Sequence, residues 1–150
     1  MVNSIATTIE QSRRLMELGI DINTADMFYV CDKNTAGEDY FSPTPSTREM
    51  VTHFGLFKND LPSWSLSALM KLLPSEFTTE NDLGIFKHEI KIRKYKFTND
   101  VDLYQIAYGS IKFDVDGQYS FKDMIGTGEK EELLDAAFEM VCWLKENGKI

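Results

Sequence analysis

Apolar and charged side chains alternate strictly between residues 86 and 93, and this pattern constrains the fold more than any other in the chain. A period of two predicts a β-strand with one buried face. Past Lys94 the apolar positions move to Tyr95 and Phe97, on the opposite parity, so we predict a β-bulge near residues 93–94 that restores the register. The alternating positions are, in order, Phe86, Lys87, His88, Glu89, Ile90, Lys91, Ile92 and Arg93.

Three further strands are predicted after this one. The second covers residues 101–108 and the third residues 111–115. Asp116 followed by Gly117 is a strong signal for a hairpin turn, and a fourth strand begins near Tyr119. Strands that follow one another in this way predict an antiparallel meander.

The N-terminal part of the chain predicts a helix, a short strand and a loop. Thr7 and Glu10 have the spacing of a capping box, which predicts a helix over residues 8–18. Residues 27–30 are β-prone and predict a short strand. Residues 32–46 are rich in turn-forming side chains and predict a loop.

Three more helices are predicted. Ser46 and Glu49 form a second capping box, for a short helix that ends near residue 55. A helix opens at Pro62 and ends before Pro74. The clearest helix covers residues 128–147, where apolar side chains form one wide stripe.

The order of these elements predicts the fold class. Helices come first, strands follow, and one helix closes the chain, which is typical of an α+β fold. We expect an antiparallel β-meander of three to four strands packed against the N-terminal helices and the long C-terminal helix. We also expect one domain over residues 1–150, because a division near residue 82 would leave two pieces with thin cores.

Charge and hydropathy limit the partners and the cellular compartment that we expect for the protein. The net charge of −8 over 150 residues works against non-specific nucleic-acid binding, since phosphate contacts need Lys and Arg. The N-terminus lacks the pattern of a secretory signal, and no apolar run approaches the roughly 20 residues that span a bilayer. We therefore expect a cytoplasmic protein with no membrane partner. Cys31 and Cys142 are expected to be free thiols.

No motif in the sequence carries a named chemistry. A calcium loop aligned on Gly117 would place Lys112 at the first position, where a carboxylate ligand is required. His53 and His88 have neither catalytic nor zinc-binding spacing. Residues 126–130 lack the adjacent Gly-Lys of a Walker loop, so we expect them to cap the last helix. We expect no catalytic residue, no metal ligand and no cofactor, which favours a non-enzymatic role without deciding the matter.

The most distinctive segment is residues 87–96. It holds five cations against Glu89 alone, a net charge of +4, which leaves −12 for the rest of a chain of net charge −8. One interpretation is a docking strip for an acidic partner or for nucleic acid, with two aromatic side chains available for stacking. The other is an edge strand whose lysines block edge-to-edge aggregation. The residues of the candidate interaction strip are Lys87, Lys91, Arg93, Lys94, Tyr95, Lys96 and Phe97.

A second hypothesis assigns the chain a pocket. An enzyme or small-ligand-binding protein would need aromatic and acidic side chains that converge on a cavity, with a shifted pKa inside it. The candidate lining residues are Trp64, Tyr104 and Tyr108.

Three stretches of the sequence carry a family resemblance. They are TIEQSRRLMELG at residues 8–19, LPSWSLSAL at residues 61–69 and MVCWLKENG at residues 140–148. In these stretches the chain resembles small uncharacterised proteins encoded by phages and mobile elements of gut anaerobic bacteria. The resemblance implies a bacterial cytoplasm and an accessory or interaction role, and it brings no activity with it.

Our leading hypothesis from the sequence is a non-enzymatic protein-interaction or accessory domain of a mobile element. Its partner is an unknown protein, and a second copy of the chain in a homodimer is one option. The pocket is the alternative. Nucleic-acid binding through residues 87–96 is a third hypothesis, which the net charge disfavours.

Overall fold

A computed structural model describes residues 4–42, 44–47, 60–82, 84–113, 116–117 and 119–150. The fold is of the α+β class, with antiparallel sheets and a C-terminal helix, as predicted. The chain forms two compact units, Met1–Leu72 and Leu73–Ile150. Whether they behave as one domain stays a prediction, and each unit is described by itself.

The first helix, α1, spans Ile9–Glu17. The prediction placed its capping box one residue too early. Thr8 is the N-cap: its Oγ1 accepts a hydrogen bond from the Gln11 N–H at 3.1 Å, and its own N–H donates to Gln11 Oε1 at 3.0 Å. Leu18 is the C-cap, and the Gly19 that follows it has a φ of 81°, which suits a residue without a Cβ.

A small antiparallel sheet follows α1 and a short 3₁₀ helix, Ile22–Thr24. Its central strand β1, Met27–Tyr29, confirms the predicted strand and lies between β4, Ser46–Thr47, and β5, Leu61–Ser63. The predicted loop at residues 32–46 is wrong. Most of it forms a hairpin, because Asn34 Oδ1 accepts two backbone N–H groups and closes a tight turn. The strands of this hairpin are β2, Cys31–Lys33, and β3, Asp39–Phe41.

The next helix, α2, spans Leu66–Leu72 and begins later than predicted. Pro62 lies in β5 instead, where it pairs with Phe28. Ser46 is likewise a strand residue rather than a helix cap, because it pairs with Phe28 from the other side. The rest of the helix predicted after Ser46 lies outside the described residues.

The second unit contains a four-stranded antiparallel sheet whose strands follow chain order. They are β6, Glu76–Asn81; β7, Gly84–Lys96; β8, Asp102–Phe113; and β9, Tyr119–Gly126. The sequence pattern missed β6 and divided β8 into two strands. The turn predicted at residues 116–117 is confirmed, and Gly117 has a φ of 77°.

The predicted β-bulge at residues 93–94 is wrong. β7 pairs with β8 in unbroken register from Glu89 opposite Gly109 to Lys96 opposite Asp102. The register shift lies between Tyr108 and Gly109, where β8 meets β9. The shift of the apolar positions from Ile92 to Tyr95 therefore does not come from an extra residue in β7. It reflects which face of the sheet is covered at each end of the strand.

The last helix, α3, spans Leu133–Glu146 and packs on β8. It begins five residues later than predicted, because residues 127–130 continue along β8. Thr127 N–H donates to the Ile106 carbonyl at 3.0 Å, and Lys130 exchanges both backbone hydrogen bonds with Tyr104. None of the described helices is both long and apolar enough to cross a membrane. Among the described residues of this unit, the apolar ones with no exposed surface are Ile106, Ala107, Tyr108, Ala136, Ala137, Met140, Val141 and Leu144.

Candidate functional site

Strand β7 changes its neighbour half-way along. Residues 84–89 pair with β6, and residues 89–96 pair with β8. In the second half, β8 covers one side of the strand. The other side, where β6 would continue, is the place to look for a docking surface.

The backbone of this second half points outward at every second residue. Ile90 donates its N–H to the Ser75 carbonyl at 3.0 Å, on the β6 side. Alternate residues of a strand direct their N–H and C=O groups to the same side. The backbone groups of Ile92, Lys94 and Lys96 therefore point to the same side as those of Ile90, but beyond Glu76, the first residue of β6.

The partners of these residues on β8 give an independent check. Tyr104, opposite Lys94, exchanges hydrogen bonds of 2.7 and 2.9 Å with Lys130 on its far side. Ile106, opposite Ile92, likewise accepts from the Thr127 N–H on its far side at 3.0 Å. β8 thus turns these backbone groups away from β7, as in the non-hydrogen-bonded pairs of an antiparallel ladder.

We call the outward backbone groups of Ile92, Lys94 and Lys96 the open edge. Within the described part of the chain, no backbone or side-chain group bonds to them. The edge is open because β6 begins at Glu76, opposite Glu89, and no residue of β6 lies opposite the second half of β7. Just before β6, the Pro74 carbonyl accepts the Tyr108 hydroxyl at 2.5 Å.

The two halves of β7 also differ in charge. In the half that pairs with β6, Lys87 Nζ lies 2.7 Å from Glu76 and 3.5 Å from Glu89. The hydrogen bond to Glu76 raises the pKa of Lys87. Residues 91–96, along the open edge, contain four cations and no acidic residue. Positive charge is therefore concentrated where the backbone is uncovered.

The predicted interaction strip is divided between the two faces of the sheet. Lys94 and Lys96 share one face with Ile92, whereas Lys91 and Arg93 share the other with Tyr95, because side chains alternate along a strand. Lys94 Nζ lies 3.3 Å from Asp102 Oδ2, and this hydrogen bond raises its pKa. The cations thus surround the edge and do not form one flat basic surface.

The two aromatic residues of the strip have different surroundings. Tyr95 forms a hydrogen bond with the Glu129 carboxylate, which raises the pKa of its hydroxyl. Phe97 lies just past the end of β7 and is 69% exposed. Ile92, which the sequence assigned to the buried face, is 44% exposed. The open edge therefore carries exposed apolar surface beside its cations.

The candidate pocket residues lie in different packing environments. Trp64, in the first unit, is fully buried and donates from Nε1 to Thr24 Oγ1 at 2.9 Å. Tyr108 is fully buried in the second unit, and Tyr104 is half-buried on the same face of β8 with Lys94 Nζ 5.6 Å from its ring centre. Each side chain has a structural role in its own unit, and the pocket stays a prediction.

His88 is a core residue of the second unit. Its ring is 1% exposed, lies 5.1 Å from the Phe77 ring, and places Nε2 2.7 Å from Thr79 Oγ1. Nδ1 has no hydrogen-bond partner among the described residues. Burial, together with the nearby Lys149 ammonium, lowers the pKa of His88, so the neutral ring is favoured. His53 lies outside the described residues.

A buried hydroxyl cluster in the first unit escaped the sequence patterns. Thr7 Oγ1 lies 2.8 Å from Ser12 Oγ and 3.2 Å from Ser63 Oγ, and it accepts the Trp64 N–H at 3.0 Å. The Thr7 carbonyl accepts the hydroxyls of Ser63 and Tyr29, each at 3.0 Å. No base among the described residues contacts the cluster, and its hydroxyls bond to one another and to the backbone, so the cluster joins α1 to β5.

The described residues show no arrangement for metal chemistry. No three His, Cys, Asp or Glu side chains among them are placed to hold an ion. Of the acids near Gly117, Asp114 and the side chain of Asp123 lie outside the described part. Residues 126–130 pair with β8 and precede α3 without opening it, so the expected capping role is wrong. Cys31 and Cys142 do not form a disulfide.

The chain was compared with family models, curated proteins and solved structures. No family model, curated protein or solved structure matches the chain.

Proposed function

We propose that this protein is a non-enzymatic protein-interaction domain that binds an extended segment of a partner along the open edge of β7. The observation that supports the proposal is the set of outward N–H and C=O groups at Ile92, Lys94 and Lys96, for which the described residues supply no partner. An added strand would extend the sheet in place of the missing part of β6. Main-chain hydrogen bonds supply affinity in this mode of recognition.

The side chains beside the edge fit this role. Ile92 and Phe97 offer exposed apolar contacts, and the cations offer selectivity. An uncovered edge is otherwise a liability that proteins suppress by keeping edge strands short, covered or rich in lysine, and the lysines here fit that protection as well as a docking role. Here the edge runs over three outward positions and keeps exposed apolar side chains, which supports a docking role over edge protection alone.

The setting we propose is the one that the resemblance implies, an accessory protein of a mobile element in a bacterial cytoplasm. An accessory protein of this kind acts through a partner and needs no catalytic group of its own. The solvent-exposed acids beside the edge and the packed aromatic residues of the core give the enzyme alternative less support.

The test uses two variants at one position. Lys94→Pro removes an N–H that points to the open edge and that the β7–β8 ladder does not use, so the fold tolerates it better than a proline at an inward position. Lys94→Ala is the matched control, because it also loses the side chain but keeps the N–H. A displayed library of random heptapeptides is selected on the wild-type protein, and the selected peptides are measured against both variants.

We expect the selected peptides to bind wild type and Lys94→Ala but not Lys94→Pro. They should also slow hydrogen exchange at the amides of Ile92 and Lys94. Equal binding to the proline and alanine variants, or failure to select any peptide, would show that the edge does not accept a strand. Circular dichroism of both variants confirms that each is folded.

A further inference from the structure

The charge around the open edge points to the kind of segment that occupies it. Resting on the proposed strand addition, we propose that the occupant is an acidic extended segment of another protein, with carboxylates opposite the cations of residues 91–96 and apolar residues opposite Ile92 and Tyr95. The open half of β7 has four positive charges and no acidic residue of its own, and Asp102 of β8 contacts one of these cations, Lys94. The half that pairs with β6 has Lys87 alone, which contacts both Glu76 and Glu89.

A second copy of the chain fits the edge poorly. Two copies related by a two-fold axis would pair antiparallel, with outward residues directly opposite each other. Centring the pair on Ile92 places Lys91 opposite Arg93, and centring it on Arg93 places the two arginines opposite each other. Centring on Lys94 opposes the two lysines, and a centre on Tyr95 opposes Lys94 to Lys96.

Every such register therefore sets like charges directly across the new ladder, which destabilises strand pairing. The same cations stabilise a strand that carries carboxylates at these positions, since opposite charges on facing residues attract. One set of side chains thus disfavours self-association and favours an acidic partner. The attraction arises from the net charge of the segment and remains although Lys94 already contacts Asp102.

The register also defines the pattern of the partner. Reading along β7 from Lys91 to Lys96, the side chains are cationic, apolar, cationic, cationic, aromatic and cationic. The complementary strand is acidic, apolar, acidic, acidic, apolar, acidic. This pattern is the same in both directions, so the peptide Glu-Val-Glu-Glu-Val-Glu fits the edge whether it lies parallel or antiparallel to β7.

A nucleic-acid strand matches the edge less well. The open edge alternates N–H donors with C=O acceptors, and a phosphate backbone accepts hydrogen bonds without donating them. The observations therefore favour a peptide.

The experiment titrates fluorescein-labelled Glu-Val-Glu-Glu-Val-Glu, capped at both ends, into the full-length protein and follows fluorescence anisotropy at low salt. The matched probe is Gln-Val-Gln-Gln-Val-Gln, and an oligothymidylate is the nucleic-acid probe. Each of the four facing charge pairs is worth roughly a 1.4- to 5-fold change in affinity, so we expect the glutamine peptide to bind at least about fourfold more weakly. Binding of the acidic peptide should weaken with added salt.

The variants separate this inference from the proposed function. If both peptides bind wild type equally and Lys94→Pro abolishes binding relative to Lys94→Ala, the edge accepts strands but the acidic preference is wrong. If the acidic peptide binds both variants equally, strand addition is wrong and the inference fails with it. Binding of oligothymidylate alone, binding of no probe, or a wild-type dimer in sedimentation that Lys94→Pro dissociates would each overturn the acidic occupant.

Discussion

The buried hydroxyl cluster makes a sharp prediction about Thr7, which the sequence assigned to the cap of α1. In the structure, Thr7 Oγ1 accepts the Trp64 N–H at 3.0 Å and lies 2.8 Å from Ser12 Oγ. Thr8 is the cap, with its hydroxyl 3.1 Å from the Gln11 N–H in an exposed turn. Thr7→Val should therefore destabilise the first unit more than Thr8→Ala does.

The expected size of each effect follows from the lost contacts. Valine keeps the branched shape of threonine, so no cavity forms. Removing the acceptor of a buried N–H costs about 1–3 kcal/mol, and the hydrogen bond to Ser12 contributes about 1 kcal/mol, so we expect Thr7→Val to lower the free energy of unfolding by about 3 kcal/mol. Loss of an N-cap hydroxyl in Thr8→Ala should cost about 1 kcal/mol.

The assay is urea unfolding followed by tryptophan fluorescence. Trp143 is replaced by phenylalanine in every protein, so that the fluorescence comes from Trp64, which is fully buried in the first unit. The unfolding midpoint and slope of each variant are compared with those of this parent. A similar slope shows that the change lies in stability and not in the extent of unfolding.

The reverse order of effects would refute the reasoning. If Thr8→Ala costs as much as Thr7→Val, or more, Thr7 does not hold the buried cluster together. A loss of about 1 kcal/mol for Thr7→Val with none for Thr8→Ala would restore the capping box that the sequence predicts.

Two further predictions concern pH and a helix end. Burial and Lys149 lower the pKa of His88 in the folded state, so unfolding takes up a proton. The free energy of unfolding should therefore fall as the pH drops below about 6.5, by at most about 1.4 kcal/mol per pH unit. His88→Gln should remove this part of the slope in urea titrations across pH, and an unchanged slope would contradict the assignment. Gly19 has a φ of 81°, so Gly19→Ala should lower stability by about 1–2 kcal/mol. Gly128→Ala, in open space, is the control, and equal melting temperatures would contradict the prediction.

Local signals in the sequence were sufficient for several elements. The alternation over residues 86–93 predicted β7, and Asp116 with Gly117 predicted the turn before β9. The helical stripe near the C-terminus predicted α3, and the β-prone run at residues 27–30 predicted β1. These features depend on side-chain periodicity and backbone preference, which act within a few residues of one another.

Other features depended on partners far away in the sequence. β6 carries little alternation of its own and forms because β7 supplies its hydrogen bonds. The start of α3 shifted because Thr127 and Lys130 bond to β8 instead of beginning the helix. Thr7 is a core residue because the backbone N–H of Trp64, 57 positions along the chain, donates a hydrogen bond to its hydroxyl. Such choices are made by hydrogen bonds that no local pattern reveals.

In the basic strand, residues 87–96, the contribution of the local sequence and that of the tertiary structure can be separated. The sequence by itself determined that residues 87–96 form a cationic strand, and it left two interpretations, docking strip or protected edge. Only the tertiary structure decided which part is an edge, because that depends on where β6 begins, at Glu76, and on which residues turn their backbone outward. The side chains carry the charge, but the neighbouring strand determines where the backbone beside them is open to a partner.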